Sequence, residues 1–82
     1  MKYKIYFEKR ALQELRKLDK FLARRIVKKI RELSIDPFSK DIKKLKGRQP
    51  FRLRIGDYRI LFEMLEHEIK ILKIGHRKSI YD

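Results

Sequence analysis

The sequence predicts an α+β domain in the order β-αα-βββ, a helical hairpin packed on a small, mainly antiparallel sheet. Three observations predict it. Residues 51–62 alternate in polarity on either side of Gly56-Asp57, the pattern of a β-hairpin. Residues 8–33 repeat apolar side chains at helical spacing, and residues 3–7 alternate again. At 82 residues, with 43% of them hydrophobic, the chain suffices for one domain, 1–82, and one modest core.

The first strand is read from Tyr3, Ile5 and Phe7, alternating with Lys4 and Tyr6. Ala11, Leu12, Leu15 and Leu18 then mark an amphipathic helix over 8–18. A second helix covers 20–33, with Asp19 as its N-cap and Phe21, Leu22, Ile26, Ile30 and Leu33 as its apolar stripe. The break between them is short enough for an αα-hairpin. Asp36-Pro37 disfavours further helix, so 34–50 reads as connection, with a half-buried turn through Ile42 and Leu45.

The hairpin follows. Gly at the first position of a two-residue turn suits type II′, which sets Ile55 opposite Tyr58 and Arg54 opposite Arg59. The last strand spans 69–74 after a turn at Glu66-His67, and Glu63 then faces Lys70, a favourable cross-strand pair. Leu53, Ile55, Ile60, Phe62 and Ile71 line the face that receives the helices. Tyr58 falls on that face and reads as core.

Lys and Arg number 24 against 11 Asp and Glu, a formal net charge of +13. A field of that sign favours polyanions: nucleic acid, an anionic membrane surface or an acidic protein. Much of it sits on the second helix, where Lys20, Arg24, Arg25, Lys28, Lys29 and Arg31 face the single acid Glu32. The central hairpin is different. Asp57, Glu63 and Glu66 offset Arg52, Arg54 and Arg59, so these arginines are placed individually rather than as bulk charge. Like charges directly across a strand pair repel. Three guanidinium groups on one sheet face therefore read as a seat for an anion, most simply a phosphate. The bland alternative pairs Arg54 and Arg59 with Asp57, Glu63 or a partner's carboxylate.

With no cysteine, disulfides and thiolate chemistry are excluded, which fits a reducing cytoplasm. No apolar run approaches a membrane span, no signal peptide is expected, and no metal or cofactor is called for. His67 sits in a turn between acids and reads as inert. Glu63, Glu66 and Glu68 read as strand-end solubility rather than as an acid–base cluster.

Taken in order, Tyr3, Ile5, Phe7, Ala11, Leu15 and Leu18, then Leu45-Lys46-Gly47, then Arg52-x-Arg54-x-Gly56-Asp57-Tyr58-Arg59, then Gly75-His76-Arg77-x-x-x-Tyr81, the chain resembles the RelE/ParE superfamily of toxins from type II toxin–antitoxin pairs. The resemblance implies the RelE-like microbial RNase fold. Within that superfamily RelE-like members cleave messenger RNA on the ribosome, and ParE-like members poison DNA gyrase. Arg52, Arg54, Arg59, Arg77 and Tyr81 match the RelE-like pattern, which implies a metal-independent endoribonuclease that blocks translation. The alternatives are a gyrase inhibitor or a non-catalytic basic nucleic-acid-binding module.

In such an enzyme the substrate's 2′-hydroxyl attacks the adjacent phosphorus. Arg59 and Arg77 would hold the non-bridging oxygens and leaving group, and Tyr81 would stack on a base or donate its hydroxyl. RelE-like enzymes often carry lysines where this chain has Arg52 and Arg54. Arginine stays protonated and makes a poor base, so either the base is absent and positioning carries most of the rate, or another group such as His76 serves. If its strand continues, alternation points His76 away from Arg77. Lys43, Lys44, Lys46, Arg48 and Lys78 are expected to contact nucleic acid. The implied partners are the ribosome with its messenger RNA and a small cognate antitoxin. The antitoxin would wrap the domain as a heterodimer or heterotetramer.

Overall fold

Alternating side chains build the sheet, and two amphipathic helices cover one side of it. The computed structural model describes residues 2–38, 41–44, 47 and 50–80. The elements run β1 (Lys4–Phe7), α1 (Lys9–Arg16), α2 (Lys20–Ile35), β2 (Ile42–Lys44), β3 (Phe51–Ile55), β4 (Tyr58–Leu65) and β5 (Glu68–His76). They form a five-stranded sheet ordered β1-β5-β4-β3-β2. Only the β1–β5 contact is parallel.

The expected hairpin register holds, with Ile55 opposite Tyr58 and Arg54 opposite Arg59. Gly56 has φ +57 and Asp57 is not in the left-handed region, as a type II′ turn requires. The β4–β5 pairing sets Glu63 against Lys70. Its turn places Glu66 at φ +32, a conformation that a non-glycine side chain resists.

Four details depart from the sequence reading. First, the 34–50 connection contains a strand. Ile42–Lys44 pairs with Phe51–Leu53 and adds a fifth, edge strand. Only Ile42 of its residues is apolar, too little for periodicity to register. Second, α1 stops at Arg16 and α2 continues to Ile35, where Asp36 ends it ahead of Pro37. Third, Phe21 is not in the apolar stripe. It lies about 100° around the helix from Leu22 and is 80% exposed. Fourth, β5 begins at Glu68, reaches His76 and carries a bulge. Leu61 pairs with Lys73 and Phe62 with Ile71, so Leu72 is the extra residue.

Ala11 of α1, and Ile26, Ile30 and Leu33 of α2, pack against Leu53, Ile55, Ile60, Phe62, Ile69, Ile71 and Ile74. Phe62 is wholly buried at the centre, and its ring stacks on Phe51 at 5.5 Å between centroids. Truncating it to Ala costs about 3–5 kcal/mol. The Asp19 carboxylate accepts the Leu22 N–H at 3.0 Å and caps α2, as expected. Tyr58 packs against the core.

β5 extends beyond the end of β1. There Glu14 of α1 accepts the Ile74 N–H at 2.9 Å, taking up a strand donor that β1 does not reach. Ser34 O accepts the Tyr3 N–H at 2.8 Å and ties the end of α2 to the start of β1. Both helices are thus held on one side, and among the described residues no helix covers the other side of β2–β5.

Candidate nucleic-acid interface

Side chains directly opposite across a strand pair share a face, so the pairings fix what lies on the open side. One row across the sheet runs Arg54, Arg59, Gly75. The next runs Lys43, Arg52, Leu61, Lys73. The two rows are about 7 Å apart along the strands. Arg52, Arg54 and Arg59 are thus brought together on the face away from the helices, and Lys43 joins them at the β2 edge.

Each arginine is already oriented. Arg59 Nη1 curls over the turn and donates to Gly56 O at 2.8 Å and Tyr58 O at 2.9 Å. The Arg54 Nη2 atom lies 3.8 Å from Asp41 Oδ1, and the Arg54 N–H donates to Asp41 O at 3.0 Å. Arg52 Nε is buried and has no hydrogen-bond partner among the described residues. A buried guanidinium donor without a partner is costly and is suited to an incoming anion.

Arg77 reaches the site from beyond β5. Its N–H donates to Asp57 O at 2.7 Å, and its Nε sits 3.7 Å from Asp57 Oδ1. The turn after β5 is closed by the N–H groups of Ser79 and Ile80, both donating to His76 O. Ile80 is 1% exposed yet stands outside the helix-side core. It rests on Gly75, where a Cβ in place of the glycine hydrogen would meet Ile80 Cδ1 at 3.0 Å. Because Gly75 pairs with Arg59, that contact lies on the arginine face. Ile80 therefore anchors the C-terminal turn on the arginine side, with Arg77 tied to the β3–β4 turn.

His76 is placed elsewhere. It pairs with Tyr58 on the helix side of the sheet, and the two rings meet edge to face at 5.5 Å. Its Nδ1 accepts the Lys78 N–H at 3.1 Å, which leaves the neutral ring's proton on Nε2. The geometry does not bring His76 to the arginines. Lys44 also lies on the helix side, its ammonium 5.8 Å from the centroid of the Phe51 ring. Lys78 is exposed in the C-terminal turn. Tyr81, Lys46 and Arg48 lie outside the described residues.

Sequence reasoning missed Asp41 as the partner of Arg54, Ile80 as a buried anchor, and Lys73 as a member of the arginine face. The spacing of Ile69, Ile71 and Ile74 breaks the period of two. That was the available signal for the bulge and hence for Lys73.

The face is an array of cationic donors with two buried apolar side chains, Leu61 and Ile80, among them. Such donors can hold phosphate oxygens and stabilise charge that develops on them. They cannot take up a proton.

Comparison with known proteins agrees in fold and length. The family model described as "ParE toxin of type II toxin-antitoxin system, parDE" matches residues 5–81. Toxin RelE3 of Methanocaldococcus jannaschii is 36% identical over 84 residues, covering 96% of each chain. In the archaeal RelE–RelB complex from Pyrococcus horikoshii, one chain superposes with TM-score 0.84 at 30% identity, covering 96% of this chain and 99% of that one. The RelB–RelE antitoxin–toxin complex from Methanococcus jannaschii gives TM-score 0.76 at 33% identity, covering 94% and 95%.

Proposed function

The chain belongs to the RelE/ParE superfamily of toxins from type II toxin–antitoxin systems, and on that footing we propose that it is a ribosome-dependent endoribonuclease that cuts messenger RNA in the A site. The observation that carries this reading is the directly opposed pair Arg54 and Arg59, with Arg52 Nε, which has no partner among the described residues, one row away. A sheet face built for stability alone avoids that arrangement, whereas an RNA backbone resolves it.

The chemistry runs through the substrate. The 2′-oxygen forms a bond to the adjacent phosphorus and the bond from phosphorus to the 5′-oxygen breaks. The products are a 2′,3′-cyclic phosphate and a 5′-hydroxyl. One proton leaves the 2′-hydroxyl and one reaches the departing 5′-oxygen. Arg59 and Arg77 hold the non-bridging and leaving oxygens, Arg52 and Arg54 grip the backbone, and Tyr81 stacks on or donates to the nucleotide. Lys43, Lys46, Arg48 and Lys78 add contacts to the RNA backbone, whereas Lys44, on the helix side over Phe51, does not. No arginine serves as the base. His76 faces the other side of the sheet, so the proton acceptor is a group of the ribosome–messenger complex, and free protein acts weakly on naked RNA.

The solved relatives are complexes of RelE with RelB. By the same reasoning this toxin is held inactive by a small antitoxin. An amphipathic antitoxin segment with acidic flanks, laid over the arginine face or the basic helical hairpin, neutralises it. Partner and site are expected in the cytoplasm, where ribosomes are.

A second reading has one observation in its favour, the ParE description of the matching family model: inhibition of DNA gyrase without nuclease action. The experiment that separates the two is primer extension on a translated messenger RNA in a cell-free system, with the protein and with Arg77→Ala. Cuts at A-site positions that need both ribosomes and Arg77 support the nuclease. Undisturbed translation with blocked gyrase supercoiling supports the inhibitor.

A further inference from the structure

We propose that Lys73 is a further phosphate-binding residue of the arginine face, holding an RNA phosphate next to the one gripped by Arg59. The inference rests on the reading of that face as an RNA site, and it adds a residue that the sequence pattern hides.

Two observations carry it. The bulge at Leu72 shifts the phase of β5, so that Ile69, Ile71 and Ile74 all enter the helix-side core. The same shift turns Lys73 and Gly75 to the open face, where Lys73 stands opposite Leu61 and Gly75 opposite Arg59. With unbroken alternation Lys73 would share the face of Ile69 and Ile71, inside the core. The strand irregularity therefore does two things at once. It adds an isoleucine to the core and delivers a cation to the arginine array. Bulges recur where a strand must re-aim a side chain.

Position supports a shared ligand. Arg59 and Lys73 are diagonal neighbours across the β4–β5 pair, about 7–8 Å apart at the backbone and within reach of long side chains. Gly75 stands directly opposite Arg59, with the Ile80 side chain over it. On the far side of Leu61 stands Arg52, with its buried unpartnered Nε. Leu61 is itself only 9% exposed, so Arg52 and Lys73 stand on either side of a buried apolar residue rather than beside an acid. Lysine binds phosphate as a compact point charge on a flexible stem. That suits a neighbouring phosphate whose position varies with the nucleotide between.

The test is the salt dependence of binding to a short fluorescein-labelled single-stranded RNA, read by anisotropy. Wild type, Lys73→Ala, Lys73→Arg, Arg59→Ala and a control, Lys17→Ala at the exposed end of α1, are compared. Each phosphate contact contributes about 0.7 to the slope of log affinity against log salt. Lys73→Ala should lower the slope by about that amount and weaken binding about five- to tenfold at low salt. Lys73→Arg should restore both, and Lys17→Ala should leave the slope unchanged. Thermal melting verifies folding, with Lys73→Met substituting for the alanine variant if that one unfolds.

A slope for Lys73→Ala equal to that of wild type overturns the inference, as does wild-type binding insensitive to salt. If Arg59→Ala lowers the slope and Lys73→Ala does not, this inference fails and the nuclease reading stands. If Lys73→Ala lowers the slope although the wild type cuts no translated messenger, the nuclease reading fails and the phosphate contact stands.

Discussion

At the scale of single residues, Arg54, Arg59 and Arg77 are engaged by the protein's own acids and carbonyls. Asp41 engages Arg54, Asp57 engages Arg77, and the Gly56 and Tyr58 carbonyls engage Arg59. Exposed pairs of this length contribute little to stability, about 0–1 kcal/mol each. On the proposed reading, their effect is to compete with a phosphate for the guanidinium groups. Asp57→Asn should therefore tighten single-stranded RNA binding about two- to fivefold, measured by anisotropy at low salt, with the melting temperature nearly unchanged. Weaker RNA binding by that variant would show that the Asp57–Arg77 contact positions the arginine rather than restraining it. Residue roles were partly legible in the sequence. Alternation set Arg52, Arg54 and Arg59 on one face, and turn chemistry set Arg54 against Arg59. Which acid each arginine meets was not legible, because Asp41 reaches Arg54 only through an edge strand that periodicity does not reveal.

At the scale of elements, two contacts join the helices and the C-terminal turn to β5. The first is Glu14, whose carboxylate accepts the Ile74 N–H and also lies 3.5 Å from Arg10. Glu14→Ala leaves that strand donor without its partner and should cost about 1–3 kcal/mol in urea denaturation. Glu14→Gln keeps an acceptor and should cost less than half as much; equal losses would assign the effect to the ion pair instead. The second contact is Ile80 on Gly75. A methyl group at Gly75 collides with Ile80 Cδ1, so Gly75→Ala should destabilise by about 1–3 kcal/mol. Adding Ile80→Val should recover part of that loss, a coupling that a double-mutant cycle reads directly. Strict additivity would mean that the C-terminal turn is not anchored there. Legibility divides along the same line. The Asp19 cap, the type II′ turn and the Glu63–Lys70 register follow from local chemistry and were readable. The bulge, the Ile42–Lys44 strand and the burial of Ile80 depend on what packs nearby. Phe21 shows the converse, an apolar residue in a helical window that the tertiary fold leaves in solvent.

Across the molecule as a whole, the sheet separates two jobs. Its helix side holds the core, and its open side carries cations placed one by one on β2, β3, β4 and β5. The overall charge of +13 draws a polyanion to the protein from any direction. On the proposed reading, the rows Arg54–Arg59 and Arg52–Leu61–Lys73 are where it settles. The order of elements was legible because helical and strand periods change over cleanly along the chain. The composition of the open face was only half legible, since it takes the bulge to assign Lys73 and the turn geometry to assign Arg77. Among the described residues the arginine face carries no base, and on the proposed reading the substrate's own 2′-oxygen cuts the RNA by displacing the 5′-oxygen. The chemical identity of the ends formed on a translated messenger, by wild type and by Arg59→Ala, decides whether it does. Each cut should leave a 2′,3′-cyclic phosphate and a 5′-hydroxyl, and Arg59→Ala should slow cutting at least a hundredfold, about 2.7 kcal/mol or more. Fragments ending in a 3′-hydroxyl and a 5′-phosphate, or equal rates for the two proteins, would contradict that mechanism.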